Sequence, residues 1–159
     1  MKSHTPSRSA RRPFAALSAL AALALAAAFS APVLAAGEEV VMYKDPNCGC
    51  CGKWAEHMRE AGFKVKEVRS SDMGTIKREA GVPQAQTSCH TAKVGGYFVE
   101  GHVPAADVKR LLAEKPKVVG ISAPGMPQGS PGMEGPYPAD RYKVVSVAAD
   151  GKTSVFASH

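Results

Sequence analysis

The stretch that decides the fold runs from Glu38 to Phe63 and reads "EEVVMYKDPNCGCCGKWAEHMREAGF". Its first part alternates, concentrates β-forming residues and ends at the turn-forming residues 45–47, which predicts a first strand. Its second part predicts a first helix that ends at Gly62, because apolar residues recur at helical spacing. These apolar residues are Trp54, Met58 and Ala61. Three of the four cysteines therefore lie where the first strand passes into the first helix.

Downstream, four segments continue the pattern. "KVKEVRS" (64–70) alternates as a second strand, and "SDMGTIKREAGV" (71–82) predicts a second helix. "HTAKVGGYFVEGH" (90–102) predicts a hairpin around two adjacent glycines, and "AADVKRLLAEK" (105–115) predicts a third helix. The order β-α-β-α-β-β-α predicts an α/β sandwich that resembles the thioredoxin-like fold, with the cysteines at one edge.

The C-terminal part has a different composition. "GISAPGMPQGSPGMEGPYPAD" (120–140) is crowded with Gly and Pro, so we expect little regular structure over much of residues 124–138. A loop of that length in a small domain is typically functional or mobile. The last segment, "YKVVSVAADGKTSVFASH", predicts a β-hairpin that turns at Asp150 and Gly151.

The first 36 residues predict a secretory signal. Four basic residues precede an uncharged apolar run that ends in small residues, with cleavage expected near Ala35 or Ala36. A membrane anchor is the alternative, but the Ala-rich run and Pro32 favour cleavage and no lasting membrane insertion. Residues 11–14 resemble a twin-arginine signal imperfectly, so the twin-arginine and Sec routes both stay open. We expect a single periplasmic domain over residues 37–159.

The charge balance argues against a nucleic-acid partner. The chain has 20 Lys and Arg against 14 Asp and Glu, but four of the basic residues belong to the predicted signal. The remaining 16 exceed the acidic residues by only 2. Basic stripes interleaved with aromatic residues are missing from the sequence, as are phosphate-binding glycine loops.

The four cysteines, Cys48, Cys50, Cys51 and Cys89, allow three interpretations. A disulfide framework explains them poorly, because CxC and CC pairs close very small rings and at most one of the first three could comfortably reach Cys89. Thiol redox catalysis is possible for Cys48 and Cys51, which have CxxC spacing at a helix N-terminus. The two additional thiols would, however, invite wrong mixed disulfides.

The third interpretation, a soft-metal site, is the one we favour. Several thiolates from one turn can share Cu(I), whereas zinc prefers two separated ligand pairs. His90 follows Cys89 directly, and His102 ends the predicted hairpin, so both are candidate ligands. Met126 and Met133 in the Gly/Pro loop are candidate thioether ligands, with loop packing as the alternative.

Four ordered motifs, "CGCCGKW", "SCHTA", "GYFVEGHVPAADVKRLL" and "PGMPQGSPGME", resemble the periplasmic copper-resistance proteins of the CopG type. The similarity covers the chain from about residue 39 to the terminal hairpin. It implies a thioredoxin-like fold, thiolate copper ligands at the four cysteines, and His90 and His102 as further ligands.

The resemblance also implies a function in copper tolerance, with silver as an alternative metal and copper efflux components or another periplasmic carrier as partners. Capture of Cu(I), as one ion or a multinuclear cluster, is the expected activity, and Cu(II) is an alternative state. This predicts a metal-binding protein rather than an enzyme. A copper-dependent redox protein or thiol-disulfide oxidoreductase is the alternative.

Overall fold

The structure, a computed structural model, describes residues 37–159, and the predicted signal segment lies outside the described residues. Ten helices and strands follow one another along the described chain, with one 3₁₀ turn at Gln84–Gln86 before the third strand. They are β1 (Glu39–Lys44), α1 (Gly49–Glu60), β2 (Lys64–Arg69), α2 (Met73–Glu79), β3 (His90–Val94), β4 (Tyr97–Glu100), α3 (Ala105–Glu114), β5 (Gly120–Ser122), β6 (Lys143–Val147) and β7 (Thr153–Ser158).

The strands form one seven-stranded sheet in the order β2-β1-β3-β4-β5-β6-β7. The β1–β2 and β4–β5 pairs are parallel, and the other four neighbouring pairs are antiparallel. The mixed α/β class is therefore confirmed. The thioredoxin-like assignment within that class stays a prediction, as does the single domain over residues 37–159.

Strand β5 was not predicted, and it changes the role of the terminal hairpin. Its three residues pair with β4 on one side and with β6 on the other. The β6–β7 hairpin thereby becomes part of the main sheet. The segment is too short to show a hydrophobic period, so only its pairing partners define it as a strand.

Helices α1 and α3 pack on one face of the sheet and share its main core. Residues 51, 54, 55 and 58 of α1 are buried because their spacing places them on one side of the helix. The Trp54 side chain is fully buried, and its Nε1–H donates to the Val103 carbonyl at 2.8 Å. This bond ties α1 to the segment that leads into α3.

Helix α2 lies against the opposite face of the sheet. The side chains of Thr91 and Glu100 are directly opposite one another on β3 and β4, and both accept a hydrogen bond from Lys77 Nζ. Alternate residues of the same strands, Ala92 and Val99, belong to the core beneath α1 and α3. The sheet is therefore covered on both faces at β3 and β4. Among the described residues, no helix has the length and apolar character needed to cross a membrane.

We expect Val99→Ala to lower the free energy of unfolding by ~2 kcal/mol, because it removes two fully buried methyl groups and leaves a cavity. Val155→Ala is the matched control, since Val155 also lies in a strand but is 56% exposed. Its effect should stay below about 1 kcal/mol. Urea unfolding followed by far-ultraviolet circular dichroism measures both. Equal losses would contradict the assigned core.

Candidate metal centre

The first cysteines lie on a tight turn between β1 and α1. The Asp45 carbonyl accepts a hydrogen bond from the Cys48 N–H at 3.1 Å, and the Asp45 carboxylate accepts one from the Asn47 N–H at 2.8 Å. Cys48 is the N-cap residue, and Cys50 and Cys51 fall in the first turn of the helix. Cys51 is fully buried, whereas Cys50 is partly exposed.

Cys48 and Cys51 are joined by a disulfide, with their Cα atoms 5.5 Å apart. This differs from the expectation that the cysteines of this turn are all free thiolates that can share Cu(I). A separation of three residues spans about one helical turn, which brings the two Cα atoms within ordinary disulfide range. The ring-size argument against CxC and CC pairs does not apply to this CxxC pair. Cys50 and Cys89 are free thiols.

Strand pairing brings Cys89 to this turn. His90, the first residue of β3, is opposite Lys44, the last residue of β1. Cys89 therefore lies beside the turn that follows β1, and its Sγ is 3.6 Å from that of Cys51. The Sγ atoms of Cys48 and Cys50 are 3.5 Å apart. All four sulfur atoms lie within 4.8 Å of one another.

Two buried histidines border the same sulfur. His102 Nε2 lies 2.9 Å from Cys89 Sγ, and His90 Nδ1 lies 3.4 Å from it. Cys89, His90 and His102 form a second group whose ligand atoms lie within 4.8 Å of one another. The two groups share Cys89. The structure thus brings together all six of the cysteine and histidine ligands predicted from the sequence.

The orientation of His102 is set by a backbone carbonyl. Its Nδ1 lies 2.7 Å from the Pro131 oxygen, which can only accept a hydrogen bond. Nδ1 must therefore carry the proton in the neutral ring, which leaves the lone pair on Nε2, the atom that faces Cys89. A carbonyl or carboxylate in this position is the usual support for a histidine that binds a metal.

Burial sets the protonation state of the metal-free centre. It lowers the pKa of His90 well below its ordinary value and also lowers the pKa of His102. Burial, followed by the charge of the neighbouring Cys50, raises the pKa of Cys89 to about 12. The histidines are therefore neutral near pH 7, which is the form that binds metals. Cys89 is protonated and would release a proton when it binds one.

His90 is buried beside two aromatic rings, and one of its ring nitrogens has no hydrogen-bond partner among the described residues. Its ring is fully buried, with centroids 4.5 Å from that of Trp54 and 5.1 Å from that of His102. Its Nε2 has no hydrogen-bond partner among the described residues. A buried polar atom without a partner is costly. The sulfur and imidazole donors of the centre fit a site for Cu(I) or another soft or borderline ion rather than Ca²⁺ or Mg²⁺.

The Gly/Pro loop forms one wall of the centre. Pro131 supplies the carbonyl to His102, and the next residue, Gly132, has a φ of 85°. A Cβ atom on Gly132 would lie 2.8 Å from both the Cys50 oxygen and the Trp54 nitrogen. The Gly132 N–H donates to the Glu134 carboxylate at 2.9 and 3.0 Å. The loop is irregular, as predicted, and it contacts the first turn of α1 directly.

The two methionines lie on the same loop. Met133 follows Gly132 and is partly buried, whereas Met126 is 56% exposed. Met126 comes directly after Gly125, which forms an isolated parallel bridge with Ser88, the residue before Cys89. Both methionines are therefore next in sequence to loop residues that contact the segments carrying the cysteines. Their role as ligands stays a prediction.

Three supporting residues were missed from the sequence. Pro131 acts through its carbonyl, which no side-chain pattern indicates. Glu100, fully buried, accepts hydrogen bonds from the Ser88 N–H and the Thr91 hydroxyl, both at 2.6 Å, and so holds the chain on either side of Cys89 and His90. His57 Nε2 accepts from the Ala105 N–H at 3.0 Å, which makes it a cap for α3. For the loop that contains Pro131, the sequence offered only its high content of Gly and Pro, as in "PGMEG" (131–135).

Comparison with known proteins gives two kinds of similarity. A family model described as a protein of unknown function, DUF411, matches residues 86–133, which contain Cys89, both buried histidines and much of the loop. Two solved structures, form 2 and form 1 of copper resistance protein CopG, are each 45% identical to this chain. No curated protein matches the chain significantly.

The two structural similarities extend over most of the described chain. Form 2 has a TM-score of 0.74 and covers 77% of this chain and 98% of its own. Form 1 has a TM-score of 0.73 and covers 76% of this chain and 96% of its own. The resemblance noted in the sequence is thus confirmed, and the chain belongs to the family of copper resistance protein CopG.

Proposed function

We propose that this protein captures Cu(I) through Cys48, Cys50, Cys51 and Cys89, with His90 and His102 as further ligands, and thereby contributes to copper resistance. The main support is the convergence of four sulfur atoms within 4.8 Å of one another. Thiolates are the preferred ligands of Cu(I), and sulfurs this close together suit bridging of more than one ion. Silver, as another soft ion, fits the same donors.

Binding by all four sulfurs requires the Cys48–Cys51 disulfide to be reduced. Two electrons and two protons from a dithiol reductant convert the disulfide into two thiols, and the reductant becomes a disulfide. Each thiol that binds copper then releases its proton. His102 needs no such release, since the Pro131 carbonyl already directs its lone pair toward the sulfurs.

We further propose that the protein acts in the periplasm. Residues 1–36 have the composition of a secretory signal, which supports export by the Sec or twin-arginine route. The bound copper would then pass to an efflux component or to another periplasmic copper carrier. The partly exposed thiol of Cys50 offers such a partner direct access to the centre.

A thiol-disulfide oxidoreductase or copper-dependent redox protein is the second candidate. The Cys48–Cys51 disulfide at the start of α1 favours it, because a helix N-terminus stabilises thiolates. This candidate leaves the free thiol of Cys89 and the two buried histidines beside it without a function, since exchange at the Cys48–Cys51 pair needs none of them. Metal binding explains that buried thiol and the two histidines together.

Anaerobic titration of the reduced protein with Cu(I), against a chromophoric Cu(I) chelator, tests the proposal. We expect tight binding, and a ratio above one ion per chain would indicate a cluster. Cys89→Ser should reduce the affinity at least about tenfold, because it removes the sulfur shared by both ligand groups. His159→Gln is the control, since His159 bonds to Asp107 outside the centre.

Failure of the reduced wild-type protein to compete with the chelator would refute Cu(I) capture. If that protein instead catalysed reduction of a protein disulfide by a dithiol, the second candidate would replace the first. Cys48→Ser separates the two activities further. It abolishes the redox pair completely, whereas Cu(I) binding should persist at lower affinity through the three remaining cysteines.

The raised pKa of Cys89 also predicts slow alkylation. At about pH 8, iodoacetamide should modify Cys89 in the folded, metal-free protein more than about a hundredfold slower than in the urea-unfolded chain, where the pKa returns to about 8.5. Tryptic peptides resolve the sites, since Cys89 lies on residues 79–93 and the other cysteines on residues 45–53. Equal rates in the two states would contradict the buried, protonated thiol.

A further inference from the structure

The carbonyl of Pro131 belongs to the central peptide of a tight turn in the Gly/Pro loop. The Met133 N–H donates to the Ser130 carbonyl at 2.7 Å, which closes a β-turn of four residues. Pro131 and Gly132 occupy its two central positions, and the φ of 85° at Gly132 is that of a type II turn. The peptide that joins these two residues supplies both the Pro131 carbonyl and the Gly132 N–H.

The two polar groups of this peptide point in opposite directions. No peptide bond among the described residues is cis, and in a trans peptide the C=O and the N–H lie on opposite sides. On one side, the His102 Nδ1–H donates to the Pro131 oxygen at 2.7 Å. On the other side, the Gly132 N–H donates to both carboxylate oxygens of Glu134, at 2.9 and 3.0 Å. One peptide therefore links the Glu134 carboxylate to the His102 ring through two hydrogen bonds.

Glycine at position 132 allows this peptide to rotate. Gly132 can adopt positive and negative φ about equally well, and type I and type II turns differ by a rotation of the central peptide. In the type I arrangement, the carbonyl would point away from His102 and the N–H away from Glu134. The carboxylate stabilises the type II arrangement, because a hydrogen bond to a charged acceptor is stronger than one to a neutral acceptor.

The charge of Glu134 also strengthens the bond between the carbonyl and His102. A carboxylate that accepts a hydrogen bond from a peptide N–H polarises that peptide, so the carbonyl of the same peptide becomes a better acceptor. A stronger acceptor at Nδ1–H raises the basicity of the other ring nitrogen, which is the one that can bind a metal ion. Glu134 therefore influences His102 through one peptide, without touching the ring.

We propose that Glu134 is a positioning residue for His102, which it orients and polarises through the peptide between Pro131 and Gly132. The carboxylate keeps the carbonyl directed at Nδ1, so Nδ1 holds its proton there and the lone pair of Nε2 faces Cys89 Sγ at 2.9 Å. The consequence, a stronger histidine ligand, rests on the proposed function. The orientation itself does not, since neither hydrogen bond involves a metal ion.

Asp140 provides a matched control on the same loop. Its carboxylate accepts a hydrogen bond from the Gln128 N–H at 2.9 Å, so it also holds a loop peptide by the N–H. The carbonyl of that peptide, at Pro127, accepts from the Ser130 hydroxyl at 2.7 Å and not from a histidine. Removal of the Asp140 carboxylate loses the same kind of bond but leaves both hydrogen bonds that lead to His102 intact.

The Nδ1–H proton of His102 reports this bond directly in NMR spectra of the metal-free protein, and the signal is assigned by its loss in His102→Gln. We expect a downfield signal that exchanges slowly with water. Glu134→Ala should move it upfield and accelerate its exchange roughly tenfold, the factor expected for loss of about one hydrogen bond. Glu134→Gln keeps an acceptor for the Gly132 N–H and should restore most of the protection. Asp140→Ala should leave the signal unchanged.

Three results would overturn the proposal: no protected Nδ1–H in the wild type, no response to Glu134→Ala, or an equal response to Asp140→Ala. The last would show that Glu134 only stabilises the loop. Anaerobic titration of the reduced protein then measures the consequence for the metal, and Glu134→Ala should lower the Cu(I) affinity at least about threefold. An unchanged affinity would contradict the strengthened ligand. Failure of the wild type to bind Cu(I) would refute the proposed function, whereas the NMR result would still decide whether Glu134 positions His102.

Discussion

The antiparallel pairing of β1 with β3 is the constraint on which the centre depends. Cys51 and Cys89 are 38 residues apart in the chain, and only the register of Lys44 opposite His90 brings their sulfurs within 3.6 Å. The hairpin at Gly95 and Gly96 then returns the chain through β4 to His102. Each candidate ligand thus lies at or near the end of a strand or helix whose other residues pack in the core, which fixes its position relative to the others.

Buried polar contacts on both sides of the sheet complete this arrangement. On one side Glu100 is paired with Lys77 at 2.6 Å, which compensates the cost of burying its charge and lets it hold the backbone beside Cys89. On the other side Pro131 and Gly132 bring the loop against His102 and the first turn of α1. The candidate ligands are therefore oriented by residues that are not candidate ligands themselves.

The order of the helices and the first four strands was predictable because their signals are local. The helical spacing of Trp54 and Met58, and the glycine pair in the β3–β4 hairpin, each act within a few residues. Strand β5 could not be predicted, because three residues have no period and their pairing depends on distant strands. The sequence also allows more than one cysteine pairing, and only the geometry of the turn selects Cys48 with Cys51.

The candidate ligands were predictable from residue type and from the resemblance, whereas their supports were not. A turn rich in cysteine and an adjacent Cys-His pair indicate a metal or redox site by residue type alone. The carbonyl of Pro131 carries no such mark, and Glu100 looks like an ordinary strand residue until its face of the sheet is known. The direction in which a carbonyl or a carboxylate points depends on the path of the whole chain, so it could not be predicted from the sequence.

The loop contact at Gly132 has a thermodynamic consequence. The centre is assembled from three separate segments: the turn before α1, the β3–β4 hairpin and the Gly/Pro loop. An ion that binds only when these segments are together is linked to folding, and at 100 times its dissociation constant it adds about 2.7 kcal/mol to the stability of the native chain. Under the proposed function, supply of the metal and lifetime of the folded protein would be coupled, and the metal-free chain would be the form most readily unfolded and degraded.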